Sequence, residues 1–261
     1  GDLTHRLPLS NRRDELDMLA AIVNAMLDRI EKLMNEVKGV CDNIAPDLRA
    51  PLARLRAQLY RIKQQAEHDS AHAVQLDDAI AETDTLMARF RGLLRISELE
   101  DHQRRSGFLV MDPLPLLREL HDFYLPLAEE GELQLVLDTP PSLPWITGDR
   151  ALLFEALANL LSNSIKFTPA GGEVILRAVN DAGSTRIEVH DSGPGIPTAE
   201  RKAVFQRFYR VDESDQQGGF GLGLSIVAAI INLHGFNLDV GTSQRGGARL
   251  VLECRQQLMP K

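Results

Sequence analysis

The 261-residue chain reads as α+β: a helical hairpin that pairs with a second copy into a four-helix bundle, then an α/β sandwich with helices on one face of a mixed sheet. Two observations predict this. Apolar residues run Leu16, Leu19, Val23, Met26, Ile30, Leu33, Val37, Val40, Ile44 in steps of three and four, the rhythm of a coiled-coil seam. From about Phe108 that rhythm gives way to short alternating runs separated by Gly and Pro, the texture of strands interleaved with helices. Composition agrees, because 44% hydrophobic and 25% charged residues belong to a folded globular chain.

The elements follow in order. Residues 7–15 read as an extended connector into a helix whose first turn carries Asp14 and Glu15. Beyond Ile44 the seam continues as Leu48, Leu52, Leu55, Leu59 and Ile62. Steps of four locally unwind a supercoil. Pro46 and Pro51 fall in this stretch. Each removes a helical hydrogen bond at a cost of roughly 3 kcal/mol, so the helix is expected to bend between about 42 and 51. A polar turn at His68-Asp69-Ser70 leads to a second helix with the seam Leu76, Ile80, Thr83, Met87, Phe90, Leu94. A lone hairpin cannot cover that stripe, and dimerisation can.

Downstream, 133–138 alternates as a strand. Asp149 is a good N-cap for a helix over 150–166, whose core stripe is Leu157, Leu160, Leu161 and Ile165. Strands are expected at 173–180, 184–190, 237–241 and 248–254, with a helix from about 221 to 233. His234 ends that helix, where a cation suits the dipole.

Several function classes are excluded at this stage. The net charge is −8, which argues against direct nucleic-acid binding. Cys41 and Cys254 lie far apart with no CxxC, so neither a disulfide framework nor a Cys-rich zinc site is expected. No stretch reaches the 18 consecutive apolar residues that a bilayer-spanning helix would need, so this chain is not expected to span a membrane. Gly1-Asp2-Leu3 opens mid-pattern, so the chain is expected to be cut from something longer.

Three motifs can carry chemistry. On the helix over 150–166, Glu155, Asn159 and Asn163 are spaced by four and share a face that Lys166 joins. Asparagine is a poor helix former, its amide oxygens suit Mg²⁺, and a lysine balances phosphate charge. Asp191-Ser192-Gly193-Pro194-Gly195-Ile196 sets an acid at a strand end beside a close backbone approach. Such a carboxylate accepts from the exocyclic amine of adenine. Gly218-Gly219-Phe220-Gly221-Leu222-Gly223-Leu224 opens a helix, and glycine backbone at a helix N-terminus binds phosphate. Between the two glycine motifs, Phe205-Gln206-Arg207-Phe208-Tyr209-Arg210 and an acidic run read as a lid.

In this order the boxes are specific. The asparagine box from Asn159 to Pro169, the box Asp191–Gly195, the phenylalanine box around Phe208 and the box Gly219–Leu224 resemble the ATP-binding domain of sensor histidine kinases of two-component systems. That domain has the Bergerat fold shared with gyrase, Hsp90 and MutL (the GHKL type). The hairpin resembles the family's dimerisation and phosphotransfer domain, and the opening, with Asp14-Glu15-Leu16, the second half of a HAMP linker. The division implied is 1–30 partial HAMP linker, 31–104 hairpin and 105–261 ATP-binding domain.

The resemblance implies ATP and Mg²⁺ as ligands. Asn159 and Asn163 would hold the metal and phosphates, while Lys166 and Arg210 would contact phosphates. Asp191 would read adenine. Gly193, Gly195, Ile196, Phe208, Gly219, Gly221, Leu222 and Gly223 would shape pocket and lid. Phe167 stands where Tyr is common, so an aromatic stays but a hydroxyl is lost. The implied partners are a second copy, a response-regulator receiver domain and, through missing N-terminal segments, the membrane. The implied setting is the cytoplasmic side of a bacterial inner membrane.

One motif departs from the family. The phosphoacceptor motif His-Asp/Glu-Leu-Arg-Thr-Pro is here Pro46-Asp47-Leu48-Arg49-Ala50-Pro51. Proline has no side-chain nucleophile, so position 46 cannot accept a phosphoryl group. Asp47 keeps the acid that orients the family's histidine or takes its proton. Ala50 replaces the threonine associated with dephosphorylating the regulator. His121-Asp122 followed by Pro126 mimics the acceptor spacing but lies past the hairpin, where a surface or packing role is expected. Two alternatives remain: a degenerate kinase serving as a nucleotide-binding dimerisation scaffold, and a Bergerat-fold ATPase resembling chaperones or mismatch-repair proteins. The heptad hairpin opposes the latter.

Overall fold

A computed structural model describes residues 52–63, 70–99, 107–210 and 221–254, together with Met18, Val23, Asn24 and Met26, which are helical. The connector, most of the first heptad run, the expected bend at 42–51 and the turn at 68–69 lie outside the described residues. The chain divides into two compact units, Gly1–Phe90 and Arg91–Lys261.

In the first unit, residues 52–63 form helix α1, and α2 begins at Ser70 and runs to Leu99. Ile80 and Thr83 of the second seam are buried. The Thr83 hydroxyl donates back to the Ala79 carbonyl, so its polarity is satisfied within the helix. Ion pairs Arg56–Asp84 and Lys63–Asp77 link the two helices. Both are solvent-exposed, and such pairs add little stability. Leu55, Tyr60, Ile62 and Leu86 stay exposed.

The second unit starts with the last turns of α2, whose Leu94, Ile96 and Leu99 are buried. Strand β1 (Leu109–Met111) pairs antiparallel with β3 (Ile146–Gly148) in a two-stranded ribbon. Helix α3 (Pro113–Glu130) opens on an Asp112 cap whose carboxylate accepts from Leu114 N–H at 3.0 Å, with proline at the first helical position. His121 lies on α3 beside Asp122, at 3.1 Å, in keeping with the surface or packing role. Then follow β2 (Gln134–Asp138), α4 (Arg150–Phe167), β4 (Glu173–Asp181), β5 (Ser184–Asp191), α5 (Gly223–His234), β6 (Asn237–Thr242) and β7 (Ala248–Cys254).

The sheet order is β2-β4-β5-β7-β6, with β2 parallel to β4 and the other pairs antiparallel. Register explains the layering. Leu137, Leu176, Val189, Leu250 and Val240 stand opposite one another across all five strands. That row joins Leu157, Leu160, Leu161, Val227 and Ile230 of α4 and α5 in one core. Each such side chain, removed from water, contributes roughly 1.5–3 kcal/mol. The expected mixed sheet, the core stripe of α4 and the Asp149 cap are all present, the last accepting from Ala151 and Leu152 N–H at 2.8 and 3.1 Å. Helix α5 starts two residues later than expected, because Gly221 adopts a left-handed φ of 68° that no helix can continue.

Alternation puts Arg186, Glu188, His190 and Arg249 on the opposite face. Glu188 is buried there among charges. Arg249 Nη2 donates to its Oε1 at 2.6 Å and His190 Nε2 to its Oε2 at 2.7 Å. Burial pushes the Glu188 carboxyl up, but the Arg249 and His190 hydrogen bonds outweigh it and hold the group at about 2. A depressed folded value means that the stabilisation is complete above the ordinary value of 4.5 and is lost as pH falls towards about 2. Glu188→Gln is therefore expected to flatten the fall in melting temperature between pH 4.5 and 2, as read by circular dichroism. An unchanged acid slope would show that Glu188 contributes nothing there.

Candidate functional site

The site lies where α4, the end of β5 and the start of α5 converge. Asp191 ends β5, and alternation turns it to the helix-facing side, two residues beyond Val189. Its Oδ1 accepts Gly193 N–H at 3.0 Å and Ala248 N–H at 2.9 Å, and its Oδ2 accepts the Ser164 hydroxyl at 3.3 Å. A carboxylate only 5% exposed is thus held by three donors from α4, β7 and the following loop. Oδ2, with one long bond, keeps acceptor capacity.

The backbone around it has no room for side chains. A Cβ on Gly193 would lie 2.7 Å from the Phe167 carbonyl oxygen, and one on Gly247 only 2.1 Å from Asp191 Oδ1. Gly195 adopts a left-handed φ of 74°, and Ile196 after it packs partly buried against the core.

On α4, Asn159 and Asn163 are half-buried on one face, as the spacing predicts. Asn159 Nδ2 donates to the Glu155 carbonyl at 2.9 Å, and Asn159 Oδ1 lies toward Gly223, 3.2 Å from where a Cβ would stand. Asn163 Nδ2 lies 3.7 Å from the same point. Glycine at 223 therefore lets the start of α5 rest against both asparagines. Among the described residues helix α5 has no side-chain cap at its N-terminus, which carries the positive end of the helix dipole close to the asparagines. Lys166 is exposed, its Nζ 5.3 Å from the centroid of the half-exposed Phe167 ring.

Glu155 shares the asparagine face in sequence, but the structure commits its carboxylate elsewhere. Arg95, from the last turns of α2, donates to it through Nε at 3.1 Å and through Nη2 at 2.5 Å. Phe208 takes a left-handed φ of 64° and donates its N–H to the Gly221 carbonyl at 2.9 Å. A Cβ on Gly221 would stand 2.8 Å from the Phe208 carbonyl carbon, so the phenylalanine and second glycine boxes touch through backbone. Leu222 is buried, and Arg210 is half-buried beyond Tyr209. Gly219, Pro46, Asp47 and Ala50 lie outside the described residues.

One sequence expectation is corrected. His234 is not a cation at a helix end. Its Nε2 accepts the Asp149 N–H at 3.0 Å, and its Nδ1 donates to the Ile230 carbonyl at 2.8 Å. An amide N–H can only donate and a carbonyl only accept, so this geometry needs the neutral ring with hydrogen on Nδ1. Sequence reasoning also missed Gly247. Its signal was the doublet Gly246-Gly247 ahead of the last strand.

The donor set suits an anion flanked by a hard cation. Among the described residues no three His, Cys, Asp or Glu side chains cluster to hold a metal. A metal here would take amide and phosphate oxygens. The class agrees with that chemistry, since residues 148–258 match the histidine kinase-, DNA gyrase B-, and HSP90-like ATPase family, and residues 1–32 match the HAMP domain. The sensor protein IrlS of Burkholderia pseudomallei is 27% identical over 89% of this chain and 50% of its own length. The signal transduction histidine-protein kinase BaeS of Escherichia coli is 29% identical over 97% of this chain and 54% of its own. Full-length ShkA, solved in complex with AMPPNP, superimposes with a TM-score of 0.65 at 25% identity over 83% of this chain and 45% of that one. Residues 148–258 thus carry the domain of that ATPase family, and the relatives of the chain are sensor histidine kinases. The chain spans about half the length of these relatives. Among the described residues no helix is long and apolar enough to cross a membrane.

The clash at Gly247 sets a test. Gly247→Ala must push the Asp191 carboxylate or β7 aside and is expected to destabilise the second unit by about 2 kcal/mol, read as a lower urea midpoint. An unchanged midpoint would show that the close approach is not required.

Proposed function

We propose that this chain is the cytoplasmic part of a bacterial, membrane-anchored, two-component sensor histidine kinase. Its second unit binds ATP with Mg²⁺, while its own phosphoacceptor position is filled by Pro46. The observation that carries the nucleotide reading is the uncapped α5 N-terminus resting on Asn159 and Asn163, with Asp191 fixed beyond them. Free helical N–H groups bind phosphate oxygens. Asn163 and Asn159 would hold Mg²⁺, which neutralises the developing charge of phosphoryl transfer. Tying Asn159 Nδ2 to the Glu155 carbonyl leaves its Oδ1 for that task. Lys166 and Arg210 would draw in the phosphates, and Asp191 Oδ2 would accept the adenine amine. Gly193, Gly195, Ile196 and Phe167 would line the base pocket. Phe208, Gly219, Gly221, Leu222 and Gly223 would form the lid and its root.

In the reaction proposed for the family, the γ-phosphoryl group passes to a histidine on the bundle and then to a receiver-domain aspartate. Here residues 1–30 would serve as the HAMP segment, 31–104 as the hairpin and 105–261 as the ATP-binding domain. The exposed Leu55, Tyr60, Ile62 and Leu86 support a hairpin completed by a second copy. Asp47 would assist a neighbouring imidazole, but position 46 supplies none. The loss of both His and Thr favours a second reading, a nucleotide-binding scaffold that holds a regulator without chemistry.

Labelled ATP separates these readings. The chain should bind Mg-ATP, with affinity at least about tenfold weaker in Asn163→Asp, where a carboxylate replaces an amide beside the phosphates. No acid-labile label should appear on the chain, and Pro46→His should restore label at position 46. Label on the unaltered bundle defeats the proposal, whereas Pro46→His that binds ATP yet stays unlabelled favours the scaffold. Light scattering checks the assembly. The parent should be a dimer, and Leu55→Glu with Leu86→Glu should give monomers at the same concentration.

A further inference from the structure

His234 is a buried titratable side chain, 4% exposed, with no part in the phosphate and adenine contacts proposed above. Its ring stacks on Phe108, with centroids 4.4 Å apart and planes 20° apart. Phe236 packs beside it at 5.4 Å. Gly148 completes the slot, since a Cβ there would stand 2.7 Å from His234 Cδ2 and 2.9 Å from its Nε2. The backbone of β3 has given up a side chain to let the imidazole reach the Asp149 N–H.

The position of that bond matters. Asp149 is the N-cap of α4, and His234 is the last residue of α5. At the other end of the pair, Gly223, the first residue of α5, rests on Asn159 and Asn163 of α4. The two helices therefore run antiparallel. At 1.5 Å per residue, α5 spans about 16 Å from Gly223 to His234, while Asn159 and Asn163 lie about 15 and 21 Å along α4 from Asp149. The lengths match, so a bond at one end fixes what meets at the other. Apolar helix faces pack in more than one axial register, because side-chain ridges repeat along the helix. A directional hydrogen bond from an N-cap amide to a ring nitrogen held by stacking does not slide.

We propose that His234 is a positioning residue for nucleotide binding. Its neutral imidazole pins the register of α5 against α4 and so sets the glycine-led N-terminus of α5 over Asn159 and Asn163. This rests on the reading of that N-terminus as the phosphate site.

Three substitutions separate the parts of the interaction. His234→Asn places an amide near Nδ1, keeping the local bond to Ile230 but not reaching Asp149. His234→Gln reaches the Nε2 position and can accept from Asp149 N–H. His234→Phe keeps ring and stack but offers no acceptor. Mg-ATP affinity is measured by calorimetry at a temperature where melting curves show each variant fully folded. Asn and Phe are expected to bind about tenfold more weakly, and Gln within about threefold of the parent. A second readout needs no nucleotide: the side-chain amide resonances of Asn159 and Asn163 should shift in the Asn and Phe variants and return in Gln. If the variants melt lower but bind ATP alike with unmoved resonances, His234 is only packing and the proposal fails. If the parent binds no ATP, the nucleotide reading fails on its own; moving resonances then uphold the register pin, and unmoved ones overturn it as well. Should Phe not fold, the Asn and Gln pair alone decides.

Discussion

A single buried carboxylate organises the second unit. Asp191 draws the Gly193 N–H, the Ala248 N–H and the Ser164 hydroxyl onto its two oxygens. Burying a charge without such donors is costly. Those donors come from the loop after β5, from β7 and from α4, so the requirement of one side chain fixes three elements. It also dictates the glycines: Gly193 and Gly247 approach so closely that any Cβ would displace the carboxylate or its neighbours. The strand order follows the same logic, since β7 must lie beside β5 for the Ala248 N–H to reach Asp191.

A second charge is handled differently on the other face of the sheet. Among the described residues Glu188 is covered by Arg249, His190 and Arg186. The two acids are three residues apart on one strand, and the odd spacing sends them to opposite faces. One is held by two backbone N–H groups and a hydroxyl, which leave Oδ2 with acceptor capacity. The other is neutralised by fixed cations, which leaves it no capacity to receive a ligand. The same residue chemistry gives the proposed recognition group in one place and a structural one in the other, and the donor set tells them apart.

What could be read in the sequence was local. The α4 stripe, the Asp149 cap and the Asn159–Asn163 face follow from helical period, and the strand bounds follow from alternation to within a residue or two. What could not be read was set by register between distant segments. Arg95 reaches Glu155 across 60 positions, which removes Glu155 from the face it shares with the asparagines. Ala248 reaches Asp191 across 57, and His234 reaches Asp149 across 85. The late start of α5 was hidden for a related reason. Gly221 is left-handed because it closes onto Phe208, a contact between two boxes rather than a property of either.

These non-local ties bear on the proposed loss of a phosphoacceptor at position 46. Among the described residues, the contacts that shape the proposed cradle join residues at or beyond Arg91: Arg95 to Glu155, Asn159 to Gly223, Asp191 to Ala248, Asp149 to His234. None uses position 46. Distant sites without shared partners contribute independently to stability. On the reading proposed above, a proline at position 46 would remove the nucleophile while these contacts, all within the second unit, stay available to hold the nucleotide. On the proposed reading, recognition of nucleotide would rest on packing within the second unit and acceptance of phosphate on one side chain, so a sequence could lose the second and keep the first.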